Sequence, residues 1–230
     1  MDLATIRTAA RAAGLALRGA LHPTEADGIA AGTLVLLGFA GQQGWPAFAA
    51  SAEAWDRAAD PMDRWSRRVI DALAARLSGT ALYPFGGPPW HPFQRWAMRA
   101  EPVHPSPLGI LIHPDWGLWH SYRGAIALPE RIALPPPDAW PSPCAACVER
   151  PCLAACPVGA FSAGGYDADA CFTHIAAPSG ADCMAGGCRA RLACPVGAAP
   201  RYGAAQAAFH MAAFCASRAS SARLRGMPQR

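Results

Sequence analysis

The sequence has no lysine and no asparagine, and all twenty of its basic residues are arginine. These absences exclude a P-loop lysine, a Schiff-base lysine and N-glycosylation sequons. Charge is sparse as well, at 16% of residues against 52% hydrophobic ones, so 230 residues can build a sizeable core in one large domain or two small ones. The charge-free run from Ile29 to Ala52 is broken by Gly32, Gly41, Gln42, Gln43, Gly44 and Pro46. It reads as a buried strand, a turn and a helix start rather than a membrane span. Arg7, Arg11 and Arg18 are spread through the first apolar residues, so no signal-peptide core is expected and the cytoplasm is the default location. Asp56, Asp60, Asp63 and Asp71 fall at helix-start or solvent positions, and none reads as a catalytic acid.

Cysteine, by contrast, is concentrated. Eight of the nine cysteines fall within about fifty residues, in two runs that each end in Cys-Pro: Cys144, Cys147, Cys152, Cys156-Pro157, then Cys171, Cys183, Cys188, Cys194-Pro195. That is the ligand count of two [4Fe-4S] clusters. A short Cys-Ala-Ala-Cys loop lets neighbouring thiolates reach adjacent irons, and the closing proline fixes the backbone after the last one. In two-cluster ferredoxins the cysteine before that proline ligates the other cluster. Carried over, one site is Cys144, Cys147, Cys152 and Cys194, and the other is Cys156, Cys171, Cys183 and Cys188.

The spacing is looser than in the common bacterial run, with four residues between Cys147 and Cys152 and four between Cys183 and Cys188. These read as loop insertions. Structural zinc is the nearest rival, although zinc sites do not call for a proline after the last thiolate and usually come as two well-separated knuckles. Disulfides would need an oxidising compartment and fit poorly with an odd cysteine count. Cys215, in an apolar helical stretch, is expected to be a buried, inert thiol. The formal charge of +4 leaves out the clusters. Two oxidised cubanes with their thiolates carry about −2 each, so the loaded protein approaches neutrality and a basic surface for nucleic acid is not supported.

Along the chain, Leu3–Ala13 has helical spacing closed by Gly14, and Leu15 to Leu21 alternates as a strand. Thr24 and Asp27 form a capping-box pattern, and Thr33–Phe39 is an apolar run of strand length. Asp60, Pro61 and Asp63 open a helix that runs to about Leu77, Thr80–Phe85 is a short strand, and Pro92 starts a helix through Met98. Gly109–His113 and Leu118–Leu128 read as a hairpin joined at Asp115-Trp116-Gly117. Prolines 135, 136, 137, 141 and 143 make a stiff linker. Tyr202–Ser217 reads as a closing helix. The expected organisation is α+β: a layered α/β domain over residues 1–140, a two-cluster domain over 141–218 and a basic tail over 219–230.

Leu111-Ile112-His113-Pro114-Asp115-Trp116-Gly117-Leu118-Trp119, Gly124-Ala125-Ile126-Ala127-Leu128, the Cys-Pro-Val-Gly-Ala run and Asp169-Ala170-Cys171-Phe172 come in the order seen in epoxyqueuosine reductases. The chain resembles a short relative of that family over roughly residues 3 to 200, most specifically at the cysteines and the Leu-Ile-His-Pro segment. The resemblance implies a cobalamin-binding, nitroreductase-like domain joined to a dicluster ferredoxin-like module. It departs from the family in three places. Phe85 stands where alignment on Gly87-Pro88 puts the catalytic aspartate, and a phenylalanine cannot act as a general acid. Ser106-Pro107-Leu108 replaces a Gly-Lys-Asn loop, and the tRNA-binding helical-repeat domain has no counterpart. The expectation is an electron-delivery module without epoxide chemistry.

The leading functional expectation is therefore a redox protein that passes single electrons through two [4Fe-4S] clusters, with a protein redox partner and no membrane. The alternative is a cobalamin- or flavin-dependent reductase whose clusters feed a cofactor in the N-terminal domain. His113, Trp116, Trp119 and His120 are its candidate cofactor-binding residues, since imidazoles and indoles suit a flat ring, although core packing and turn roles are the preferred reading of them. His174, three residues after Cys171, is a candidate cluster neighbour.

Overall fold

The computed structural model describes residues 1–136, 140–162 and 164–225, with side chains through Ser220. In chain order the elements are α1 (Leu3–Ala12), β1 (Ala16–Leu21), β2 (Thr33–Ala40), α2 (Trp45–Ala49), α3 (Pro61–Arg76), β3 (Thr80–Leu82), α4 (Phe93–Ala100), β4 (His104–Pro105), β5 (Leu111–Ile112) and β6 (His120–Leu128). They continue with α5 (Pro151–Ala154), β7 (Phe161–Ser162), β8 (Gly165–Tyr166), α6 (Ala168–Ala176), α7 (Ala181–Gly186), α8 (Arg189–Leu192) and α9 (Ala204–Arg225). This is a mixed helix-and-strand fold with small sheets, of the α+β kind. The chain divides into two compact units, Met1–His104 with Trp119–Pro141, and Pro105–Leu118 with Ser142–Arg230. The segment carrying Leu111-Ile112-His113 thus belongs to the cysteine-bearing unit.

In the first unit the sheet order is β1-β2-β6-β3, and every pairing is antiparallel. The eight residues of β2 are all buried, which explains why its sequence is a continuous apolar run rather than an alternating one: both faces are covered. A bulge at Leu37/Gly38 brings Gly38 against the Ser121 carbonyl so closely that no side chain fits there. Around the sheet, Trp65 of α3 packs its ring 5.6 Å from Phe39 and 5.9 Å from Phe48. Each large apolar side chain buried this way contributes about 1.5–3 kcal/mol relative to its exposed state.

The local signals act as expected in several places. Gly14 takes a φ of 77° just after α1, and Thr24 forms its capping box with Asp27 ahead of a single 3-10 turn, Glu25–Asp27. Hydrogen bonds from Arg99, Thr24 and Trp96 converge on Asp27; although burial opposes them, they hold its carboxyl down at about 2. Asp60 differs from its expected role. It adopts a left-handed φ of 50° and makes no side-chain cap, while its carbonyl accepts the Arg64 N–H at 3.0 Å.

The expected hairpin between Gly109 and Leu128 does not form. Leu111–Ile112 pairs with His104–Pro105, and β6 instead lies between β2 and β3. His113 and Gly117 close the intervening turn on themselves, with N···O distances of 2.9 and 2.8 Å. The last helix also runs farther than expected, to Arg225, so the expected tail is helical that far. Pro137 of the linker and residues 226–230 lie outside the described residues. No helix among the described residues is long and apolar enough to cross a membrane.

One buried polar group of the first unit carries a charge. Arg18 is 4% exposed, and its guanidinium reaches both oxygens of Glu101, with Nη2 3.1 Å from each. The Tyr122 hydroxyl also donates to Glu101. Burial still pushes the Glu101 carboxyl up, since the Arg18 charge and the Tyr122 hydroxyl only partly offset it. This places a satisfied charged cluster beneath α4, where a lone charge would be costly.

Candidate metal centre

All nine cysteines are free thiols, and eight of them gather in the second unit as two groups. Around Cys144 the near sulfurs are Cys194, Cys152 and Cys147, and around Cys152 they are Cys194 and Cys147. Around Cys183 and around Cys188 they are Cys171 and Cys156 in both cases. The cysteine before each proline therefore sits with the other run's thiols. Cys194 closes on 144, 147 and 152, and Cys156 on 171, 183 and 188.

Short helices produce this exchange. Arg150 takes a left-handed φ of 43° ahead of Pro151, which starts the four-residue α5 and turns Cys152 inward. Cys188 is the N-cap of α8, so its thiol lies by the first N–H groups of that helix. Arg191 on α8 donates to the Leu118 carbonyl, with Nε at 3.0 Å, and its guanidinium sits 4.5 Å above the Tyr202 ring. Arg201 donates to the carbonyls of Leu192 at 2.7 Å and Cys194 at 3.3 Å, fixing the loop that presents Cys194. The turn from His113 packs against that same loop. Gly117 and Gly197 both have positive φ, and a Cβ on either would collide with the opposite backbone.

The surroundings of the two groups differ. Cys152 and Cys194 belong to a buried cluster with Leu108, Ile112, Leu118 and Ala190, against which Cys144, Cys156, Cys188, Leu153 and Val196 pack. Cys156, Cys171, Cys183 and Cys188 all line one small cavity of about 20 Å³, walled by Phe161, Ile175, Ala190 and Met211 among others. Burial pushes the Cys144 thiol up, and its three sulfur neighbours add to the shift. Burial raises Cys188 too, opposed by the N–H groups of Arg191 and Ala190. Thiols of this kind keep their protons until a bound metal displaces them.

The chemistry of the donors can be tested against a metal. Among the described residues no three of His, Cys, Asp or Glu converge tightly enough to hold a single ion. A tetrahedral zinc with bonds of about 2.3 Å would draw its thiolates to within roughly 4 Å of one another. A cubane makes a weaker demand on convergence, because each thiolate binds a different iron. Eight free thiols in two groups of four are the kind and number of donors that two such clusters take.

The other candidates are less gathered. His113 is 6% exposed, and its Nδ1 accepts the backbone N–H groups of Asp115 at 3.0 Å and Trp116 at 3.3 Å, so the ring closes a turn. Trp119 is 2% exposed within the first unit's core, and His120 lies at the end of β6, edge-on to Tyr122 at 5.8 Å. His113 and Trp116 belong to one unit and Trp119 and His120 to the other. His174 Nε2 stands 4.0 Å from the Cys183 sulfur. Phe85 is held between the guanidinium groups of Arg67 at 5.2 Å and Arg123 at 5.4 Å from its ring centre. Cys215 is half-buried rather than buried, and its thiol donates to the Met184 sulfur at 3.8 Å. Sequence reasoning missed Arg191 and Arg201, whose roles are set by the backbone carbonyls opposite them. The chain matches no protein-family model, no curated protein and no solved structure.

Proposed function

We propose that the chain binds two [4Fe-4S] clusters in its second unit and carries single electrons between redox partners. The observation that carries this reading is the crosswise gathering of eight free thiols into two groups of four. When bound, such clusters supply one-electron storage without proton transfer at the metal. The protein's own contribution is positional. Cys144, Cys147, Cys152 and Cys194 hold the first site, and Cys156, Cys171, Cys183 and Cys188 the second. Arg191 and Arg201 clamp the loops between them, and apolar walls at Leu108, Ile112, Phe161 and Met211 limit water access and so shape the potentials.

The likeness to epoxyqueuosine reductases supports the same electron-delivery role. Epoxide chemistry is not part of the proposal, because Phe85 offers no proton and its ring is occupied by two arginines. The test is anaerobic reconstitution followed by iron analysis and visible spectroscopy. About eight irons per chain and a broad absorbance that bleaches with dithionite are expected; iron-free or zinc-loaded protein overturns the reading. Titration of the loaded protein with cobalamin and with flavin separates a carrier from a reductase, since only the reductase shifts the spectrum of either.

A further inference from the structure

The buried Arg18 stands at an unusual point of the first unit's sheet. β1 is an edge strand, and its register with β2 shifts between Leu17 and Gly19, so Arg18 is the bulged residue. A bulge re-aims one side chain of the strand that carries it. Here that side chain is only 2% exposed and lies against Glu101, which follows the end of α4. Gly19 permits so close an approach, because a Cβ there would sit 2.5 Å from the Ala100 carbonyl oxygen.

Arg18 and Glu101 both line a cavity of about 530 Å³, whose walls come from α1, β1, the end of α4 and Leu134-Pro135-Pro136. That volume falls in the range of small-ligand sites. The charged residues on its wall are Arg7, Arg18, Arg99 and Glu101, three cations to one anion. Arg99 is committed to Asp27 at 2.7 Å, and Arg18 to Glu101. Two sources of donors are left over. The bonds from Arg18 to Glu101 use Nε and Nη2, which leaves its Nη1 edge for the cavity. Arg7, exposed on α1, makes no ion pair among the described residues. Leu3, Leu17, Met98 and Leu134 supply apolar wall beside these donors.

Protection of an outer strand accounts for a bulge and an inward charge. It requires neither a cavity nor a further arginine on the cavity wall. We propose that this cavity binds a small organic anion, whose carboxylate or phosphate head bonds Arg7 and the Nη1 edge of Arg18 while its apolar body rests on the leucines. The planar guanidinium fork suits either head. Tyr122 and Arg18 both donate to Glu101, so its carboxylate is occupied by donors of the protein's own. The site lies wholly in the first unit and stands independently of the two-cluster reading.

The test is calorimetric titration of the full chain with benzoate, with phenyl phosphate and, as the uncharged control, with benzamide. At least one of the two anions should bind saturably and benzamide should not, and added salt should weaken the binding. The tighter of the two assigns the head group. Arg7→Gln should weaken the binding about tenfold. Arg11→Gln removes a likewise exposed charge one turn along α1, outside the cavity wall, and should leave it unchanged. Arg18→Lys keeps a charge beside Glu101 but loses the fork, and should also weaken binding. The proposal is overturned if neither anion binds, if benzamide binds as well as they do, or if Arg7→Gln and Arg11→Gln have equal effects. Should Arg18→Lys not fold, the two α1 variants decide alone.

Discussion

The two units bury different things. The first closes β2 between covered faces and packs Leu34, Leu36, Leu37, Phe39, Trp65 and Trp96 at 2% exposure or less. In the second, the buried cluster around the first thiol group consists of Leu108, Ile112, Leu118 and Ala190 together with Cys152 and Cys194. Its helices α5 and α8 have four residues each, too short to be stable alone. A unit built from hydrocarbon can fold on burial. One whose buried positions include several thiols, and which relies in part on single-turn helices, would gain from an added bond network such as a metal supplies. On the proposed reading this difference is where metal would enter the energetics of this chain, and four experiments bear on it.

Iron removal has the largest expected effect. Structural metals contribute on the order of 10 kcal/mol to small domains, so stripping iron with a chelator should unfold the second unit and leave the sheet unit folded. Trypsin digestion reads this directly: cleavage after Arg150, Arg189, Arg191 and Arg201 should become rapid while Arg18 and Arg123 stay protected. Equal protection with and without iron would remove the contrast between the units.

Next come the crosswise ligands. Cys156→Ala should lose the second cluster despite lying in the first cysteine run, and Cys194→Ala the first despite lying in the second run. Each would leave about four irons per chain. Spectra showing the opposite loss would reverse the assignment.

Trp65→Ala probes the hydrocarbon side. It removes a ring packed on Phe39 and Phe48, at a cost of about 3–5 kcal/mol. Denaturant unfolding should show a lowered midpoint for the first unit with iron content unchanged, and a parallel loss of iron would mean that the units do not fold separately.

The smallest effect is electrostatic. Asp27 is held at about 2, below its ordinary value near 3.8. Its contribution is therefore present above that ordinary value and fades as pH falls through about 2. Asp27→Asn should destabilise the first unit by about 1–2 kcal/mol at neutral pH, and the gap from wild type should close in acid. A gap that stays constant with pH would assign the loss to packing instead.

How much of this was legible depends on the range of the interaction. Pro61 at a helix start, Gly14 after a helix end and the Thr24–Asp27 box act within four residues, and each appears where its sequence signal put it. The β6 strand was legible as a strand but not as to its partners: alternation says that a segment is extended, and only the assembled sheet places it between β2 and β3. Asp60 shows the same limit at a cap, where the backbone is left-handed and the side chain makes no capping bond. For the candidate site, residue type and Cys-Pro punctuation named all eight thiols. Arg191 and Arg201 carried no such signal, because an arginine clamp is defined only by what lies opposite it.

The sequence by itself determined the chemistry available to this protein: eight clustered thiols, no lysine, an apolar run of strand length after Thr33 and the punctuation of its helices. These are properties of residue type and near-neighbour spacing, which the chain carries before it folds. Only the tertiary structure decided that residues 105–118 join the cysteine unit and that four thiols line one cavity. Those contacts require distant segments to be brought together, and their geometry is set by packing and loop closure.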